Sequence, residues 1–348
     1  MPTARPAPSA APNVTQNVTS NVTPSPSARL LRAAMIALTL AAPLGLAACS
    51  PGDALSLRHQ QPVPGKLVRA MKRMNMEADA PVLMRIFKEE AELEVWKKTR
   101  GGRYAKLASY EICKYSGELG PKHKEGDRQA PEGFYHVNRG LMNPNSSYFL
   151  SFNLGFPNRF DRAHGRTGSH LMVHGACSSR GCYAMEDEQI AEIYALARDA
   201  LKGGQSAFQV QALPFRMTPE NMARHRDNPN FAFWENLKKG YDHFELTRMQ
   251  PVVEVCDRSY RFNEEAVSGR FMPAGTCPET RTPEQLAKLY ADYQSKYQLQ
   301  FDKAVRKLGG ASTPGGEPRA PSVADANDGA IADVNVPDGV EVAPLAGQ

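Results

Sequence analysis

The chain has no excess of either charge once its first 48 residues are set aside. Those residues hold Arg5, Arg29 and Arg32 and no acid, and removing the three from 42 leaves 39 basic against 37 acidic residues. That balance excludes the positive footprint of a nucleic-acid-binding protein. The one marked apolar run, residues 33–48, is short for a spanning helix and is flanked as a signal sequence is. No internal repeat is present, which argues against a solenoid or propeller. Six cysteines in 348 residues are too few for a disulfide-built miniature fold, and the length is ample for a buried core.

What the sequence does contain begins with a targeting signal. Arg29 and Arg32 precede the apolar run, which ends in Leu46-Ala47-Ala48-Cys49. This basic, apolar and small-residue order is a signal peptide, and its ending resembles a bacterial lipobox, in which Cys49 is lipidated and becomes the mature N-terminus. Ser50 after it fits outer-membrane sorting. The expected location is therefore the periplasm, with a lipid anchor in the outer membrane. With Cys49 lipidated, five cysteines remain for an oxidising compartment, so one is left unpaired within the chain. Cys256 and Cys277 are one candidate disulfide and Cys113 with Cys177 another, leaving Cys182 free. A small Cys177–Cys182 loop is an alternative, since sequence fixes no connectivity.

Residues 1–48 read as a low-complexity extension plus signal peptide, and 49–80 as a tether with a basic amphipathic helix from Lys66. From 81 to 260 a strand-rich pattern dominates. Val82–Phe87, Ala91–Trp96, Tyr104–Tyr115, Phe134–Val137, Ser147–Phe152, Leu171–His174 and Phe208–Leu213 read as strands. A helix over Asp187–Leu201 carries Ile190, Ile193, Tyr194, Ala197 and Leu201 on one face. Residues 261–308 read as a helical extension opened by Thr282-Pro283. Residues 309–348, with six acids and one base, read as a disordered acidic tail.

The chemistry concentrates in His174-Gly175-Ala176-Cys177-Ser178-Ser179-Arg180-Gly181-Cys182. A thiol here is expected at the start of the following helix, where the dipole and free N–H groups favour a thiolate. His174, ending an apolar strand, would accept its proton. Backbone N–H groups of Gly181, Cys182 and Tyr183 would form an oxyanion hole, with Gly181 allowing a close approach. Ser179, Arg180 and Tyr183 are candidate substrate-binding residues, an arginine being suited to a carboxylate. His164, in a polar loop, is the alternative base. Zinc held by His170, His174, Cys177 and Cys182 matches no common spacing, so no metal and no cofactor are expected.

These residues resemble the His-Gly…Ser-x-Gly-Cys signature of the L,D-transpeptidase (YkuD) catalytic domain. Tyr115–Lys122, Ala130–Tyr135, Ser151–Asn158 and Cys182-Tyr183-Ala184-Met185 are similar to its YafK-like branch. The departures are a short His-to-Cys loop and Arg180 where the commoner members carry a histidine. The resemblance implies a mainly β (α+β) fold: a sandwich- or barrel-like catalytic domain with a helix following the cysteine and added C-terminal helices. It implies Cys182 as nucleophile on peptidoglycan stem peptides at meso-diaminopimelate, through a thioester. The lead expectation is hydrolytic release of wall-linked outer-membrane lipoprotein. The alternatives are transpeptidation that cross-links stems or attaches lipoprotein, and a non-catalytic peptidoglycan-binding lipoprotein.

Overall fold

The computed structural model describes residues 57–309. Cys49, the signal sequence and residues 310–348 lie outside the described residues. No helix among the described residues is long and apolar enough to cross a membrane.

Two five-stranded sheets organise the molecule, a mixed α/β arrangement. In the first, β3 (Tyr104–Glu111), β2 (Glu92–Lys98), β1 (Val82–Phe87), β10 (Ala207–Leu213) and β5 (Gly133–Asn138) lie in that order. Only the β1–β10 pair is parallel. The second has the order β4 (Lys114–Tyr115), β9 (Tyr183–Ala184), β8 (Met172–His174), β7 (Ser151–Asn153), β6 (Met142–Asn143).

Burial explains why the strands of the first sheet do not alternate as half-exposed strands would. Every residue of β1 is buried, because each face of this sheet meets a core. One face joins Met84, Ile86, Val95, Val137 and Val210 to Phe152 and Val173 of the second sheet and to helix α3 (Asp187–Lys202). The other joins Phe87, Phe134 and Leu213 to Trp234, Leu237 and Tyr241 of helix α5 (Phe231–Thr247) and to Tyr260 and Phe262. Charged residues on β1 and β2 therefore need partners inside. Arg85, 1% exposed, ion-pairs Glu245 at 2.5 Å and lies over the rings of Tyr241 and Phe244.

The remaining helices cover this body. Helix α1 (Gly65–Arg73) buries Leu67 and Met71 in the first core. Helix α2 (Arg159–Ala163) is fixed by an Asn158 capping box, and α4 (Pro219–Arg224) by Thr218 and a proline in its first turn. Residues 261–281 are not helical. Strand β12 (Ser259–Phe262) pairs with β11 (Val253–Cys256), and β13 (Glu265–Ala266) with β14 (Thr280–Arg281). The apolar Tyr260 and Phe262 bind this stretch to the second core. Helix α6 (Glu284–Gly309) then lays Tyr293 and Tyr297 on that core.

Candidate active site

The site is built on the parallel β8–β9 pair, in which Val173 faces Tyr183 and His174 faces Ala184. Parallel strands ordinarily need a connection of about a dozen residues or more. Here eight, 175–182, suffice. Three of them take positive φ: Ala176 at 64°, Cys177 at 42° and Gly181 at 133°. Left-handed backbone at two consecutive non-glycine residues is costly and persists only where the surroundings impose it. Those surroundings are visible. A disulfide joins Cys177 to Cys113, with Cα atoms 5.4 Å apart, Asp187 Oδ1 accepts the Ala176 N–H at 2.7 Å, and the Met185 N–H donates to the His174 carbonyl at 2.7 Å.

The β8–β9 pair brings His174 and Cys182 to neighbouring strands. Val173 and Tyr183 are fully buried in the core, so alternation turns His174, one residue along β8, to the opposite side, and Cys182 immediately precedes β9. Cys182 Sγ meets the backbone of Met172 and His170, at and just before the start of the strand that ends in His174. His174 is buried, with the Tyr148 ring 4.7 Å from its own. Its Nδ1 lies 2.6 Å from the Gly175 carbonyl oxygen, which accepts only from a protonated nitrogen, so Nε2 carries the lone pair. Burial pushes the imidazole below its usual 6.5, with the Gly175 contact opposing in part. The resting base is therefore neutral and ready to accept a proton.

Cys182 is half-buried and is the free thiol among the described residues. The Met172 N–H donates to Sγ at 3.4 Å, and the thiol donates to the His170 carbonyl at 3.6 Å. Burial pushes the thiol above its usual value, opposed by the Met172 N–H and the charge of Lys122. Both shifts favour the uncharged forms, a thiol and a neutral imidazole.

Several expectations are corrected here. Cys182 is not at a helix N-terminus: helix α3 begins at Asp187, after β9, so no helix dipole lowers the thiol. The Gly181 and Cys182 N–H groups are not an open oxyanion hole, since both donate to Ser179 Oγ, at 3.2 and 3.0 Å. Ser179 also donates to the Cys182 carbonyl at 2.6 Å, so it organises the turn rather than meeting substrate. Tyr183 is fully buried and donates to the Pro131 carbonyl at 2.7 Å, which withdraws it from substrate binding. A Cβ on Gly181 would meet nothing nearer than 4.0 Å; the glycine is required by φ, not by crowding. Crowding acts at Gly175, where a Cβ would stand 2.5 Å from Asp187 Oδ1 and 3.0 Å from the Tyr148 carbonyl oxygen.

Arg180 is exposed, in the turn that precedes Cys182. His164 ends α2, its Nε2 2.8 Å from the Arg258 carbonyl oxygen and its ring against Phe160, away from the β8–β9 face. Cys256 and Cys277 are disulfide-bonded. Cys113, Cys177 and Glu186 cluster closely enough to suggest a metal site, but both sulfurs are in the disulfide and no thiolate remains.

The sequence reading marked Tyr115–Lys122 and Ala130–Tyr135 only as family-like; in the structure the loop 116–132 borders the turn at Ser179 and Gly181. Lys88, fully buried, holds it by donating to the carbonyls of Glu118, Gly120 and Ala130 and to Glu132. Glu132 in turn accepts from the Gly120 N–H and from Trp234. Ser116 Oγ lies 3.2 Å from Ser179 Oγ. Lys122 is buried and ion-paired with Asp127. The available signal was its place in a Gly-Pro-Lys turn five residues before an aspartate.

A free thiol, a histidine whose Nδ1 meets the Gly175 carbonyl on the neighbouring strand and a turn built by Ser179 and Gly181 make this part of the two-sheet scaffold the candidate active site. The profile of the YkuD L,D-transpeptidase catalytic domain matches residues 86–206, and the chain belongs to this family. Over 206 residues it is 47% identical to the L,D-transpeptidase candidate YafK of Escherichia coli K12, a match spanning 58% of this chain and 83% of that protein. The YafK of Escherichia coli O157:H7 matches equally. Among solved structures, the helical cell shape determining protein Pgp2 of Campylobacter jejuni overlays 57% of this chain and 82% of its own at 17% identity. Its TM-score of 0.31 is too low for the overlay to bear on function.

Proposed function

We propose that this L,D-transpeptidase-family protein of peptidoglycan metabolism works through a Cys182 thioester on a stem peptide, at the L-centre carbonyl of meso-diaminopimelate. Cys182 Sγ attacks the carbonyl as His174 Nε2 takes the thiol proton. The tetrahedral intermediate collapses, the C–N bond breaks, and His174 returns the proton to the leaving amine. Water, deprotonated by the same imidazole, then cleaves the thioester and restores the thiol. The observation that carries this reading is the placement of the free thiol of Cys182 against the first residues of β8, the strand that ends in His174, with the Gly175 carbonyl leaving Nε2 free.

We infer that water is the main acceptor and that the leaving amine belongs to a wall-linked outer-membrane lipoprotein. The nucleophile is half-exposed, and Ala176, Cys177, Ser178 and Arg180 beside it are exposed, an open rim that admits water to the acyl-enzyme. Arg180 is the candidate for the substrate carboxylate. The protein is proposed to work in the periplasm, anchored through Cys49.

The test incubates purified protein with muropeptides carrying lipoprotein remnants and reads the products by mass. Release of the remnant is expected. New cross-linked dimers in its place would establish transpeptidation and overturn the choice of acceptor. Cys182→Ala is expected to abolish all conversion, with circular dichroism unchanged. Retained turnover would remove the nucleophile from the mechanism, and binding of muropeptides without turnover by the wild type would favour the non-catalytic alternative.

A further inference from the structure

The thiol sits in a setting that opposes its ionisation. It is half-buried, it lacks the helix N-terminus that often supports a reactive cysteine, and the nearest turn N–H groups are taken by Ser179. A cysteine enzyme built this way needs a positive charge from elsewhere, and the loop 116–132 brings one. Lys122 is 3% exposed, an unusual state for a lysine, and its ammonium is held by the Lys124 carbonyl at 2.9 Å and by Asp127.

The holder is itself well built. Burial opposes the charge on Asp127, yet hydrogen bonds from Lys122 and from the N–H groups of Lys124, His123 and Gln129 keep its carboxyl down at about 2. The Thr167 N–H donates to the His123 carbonyl at 3.1 Å, tying this loop to the segment 167–170. Within that segment the Lys122 stem crosses Gly168, where a Cβ would stand 2.6 Å from Cε, and a glycine at φ 149° is what leaves the path open. Two residues further on, the His170 carbonyl accepts from Cys182, and Met172 presents its N–H to Sγ. The lysine thus lies along the same strip of backbone that receives the thiol.

We propose that Lys122 is a positioning residue whose fixed ammonium supports the Cys182 thiolate, supplying the positive field that a helix N-terminus does not provide here. The proposal rests on Cys182 being the nucleophile. The other charged or titratable groups around the thiol are His174 on β8, His170 with its ring exposed, Arg180 within the loop, and Arg128, whose backbone lies 4.0 Å from the Cβ position of Gly181. Asp127 is the counter-charge, and Lys122 is the one of these cations buried and tied down by a carboxylate.

The experiment follows iodoacetamide alkylation of Cys182 against pH by mass spectrometry, on the full chain with both disulfides intact. Lys122→Met is expected to slow alkylation at pH 7.5 about three- to tenfold and to move its midpoint to higher pH, one pKa unit being a tenfold change in thiolate. Lys122→Arg is expected to restore the wild-type profile. Asp127→Asn loosens the same loop but keeps the ammonium, and is expected not to slow the reaction. A Lys122→Met profile equal to wild type overturns the proposal. So does an equal slowing by Lys122→Met and Asp127→Asn, which would mean that loop order alone matters. A wild-type Cys182 that resists alkylation at every pH would instead overturn the nucleophile on which the proposal stands.

Discussion

At the scale of single residues, the site combines a base made weaker and a thiol made more reluctant, both by burial. For a reaction that starts from a neutral pair, these two shifts widen the working range. The histidine must be unprotonated, so activity rises as pH passes its titration, which lies below 6.5. The pair must also still hold the one proton to be transferred, so activity falls only as pH passes the thiol, which lies above 9.0. We therefore expect kcat/KM for remnant release to be flat between pH 6.5 and 9, with its acid limb below that window. A limb centred above pH 7 would mean that the imidazole is stabilised in its charged form, contrary to the burial of His174 and its Gly175 contact.

At the scale of elements, the site depends on a loop pinned from beneath. Lys88 and Glu132 are both fully buried, and Lys88 makes four hydrogen bonds into residues 118–132. Burial pushes its ammonium down while Glu132 holds it up, so the pair is worth keeping only because every donor is matched. Removing one partner strands the other charge. Lys88→Met is expected to cost about 3–5 kcal/mol in urea denaturation, and to lower turnover by loosening the wall that carries Lys122. A loss under about 1 kcal/mol would show that water rescues Glu132.

This element was invisible in the sequence. Lys88-Glu89-Glu90 reads as a charged turn, and nothing local reveals that a carboxylate 44 positions on waits for the lysine. The helix over Asp187–Lys202 and the strands β1, β5, β8 and β10 were legible because apolar periodicity acts locally. Cys182 and His174 stood out in the sequence as the candidate nucleophile and base. Their surroundings were not: a helical pattern five residues after the cysteine suggested a helix-capped thiol, whereas Tyr183-Ala184 is first drawn into a strand beside Val173. Tertiary pairing overrode the local reading there, as it did at Ser179 and Tyr183.

At the scale of the whole molecule, two covalent ties act on unequal spans of chain. Cys113–Cys177 closes 64 residues, taking in the loop 116–132, strands β4 to β8 and His174, and it ends in the turn that leads to Cys182. Cys256–Cys277 closes 21 residues around the β12–β13 excursion and includes neither His174 nor Cys182. In the chain-entropy account the longer loop restrains the unfolded state more, by about 4.3 against 3.3 kcal/mol. Replacing Cys113 and Cys177 together by serine should therefore cost about 1 kcal/mol more than the same change at Cys256 and Cys277, or roughly 2–4 °C in Tm. Activity should divide more sharply than stability. Ala176 and Cys177 keep their left-handed backbone only under constraint, so releasing Cys177 should let the loop relax and displace Cys182 from the His174 face. Paired calorimetry and remnant-release assays on the two double variants check both parts. Equal turnover in the two would mean that Ser179 and the β4–β9 pairing hold the loop without the disulfide.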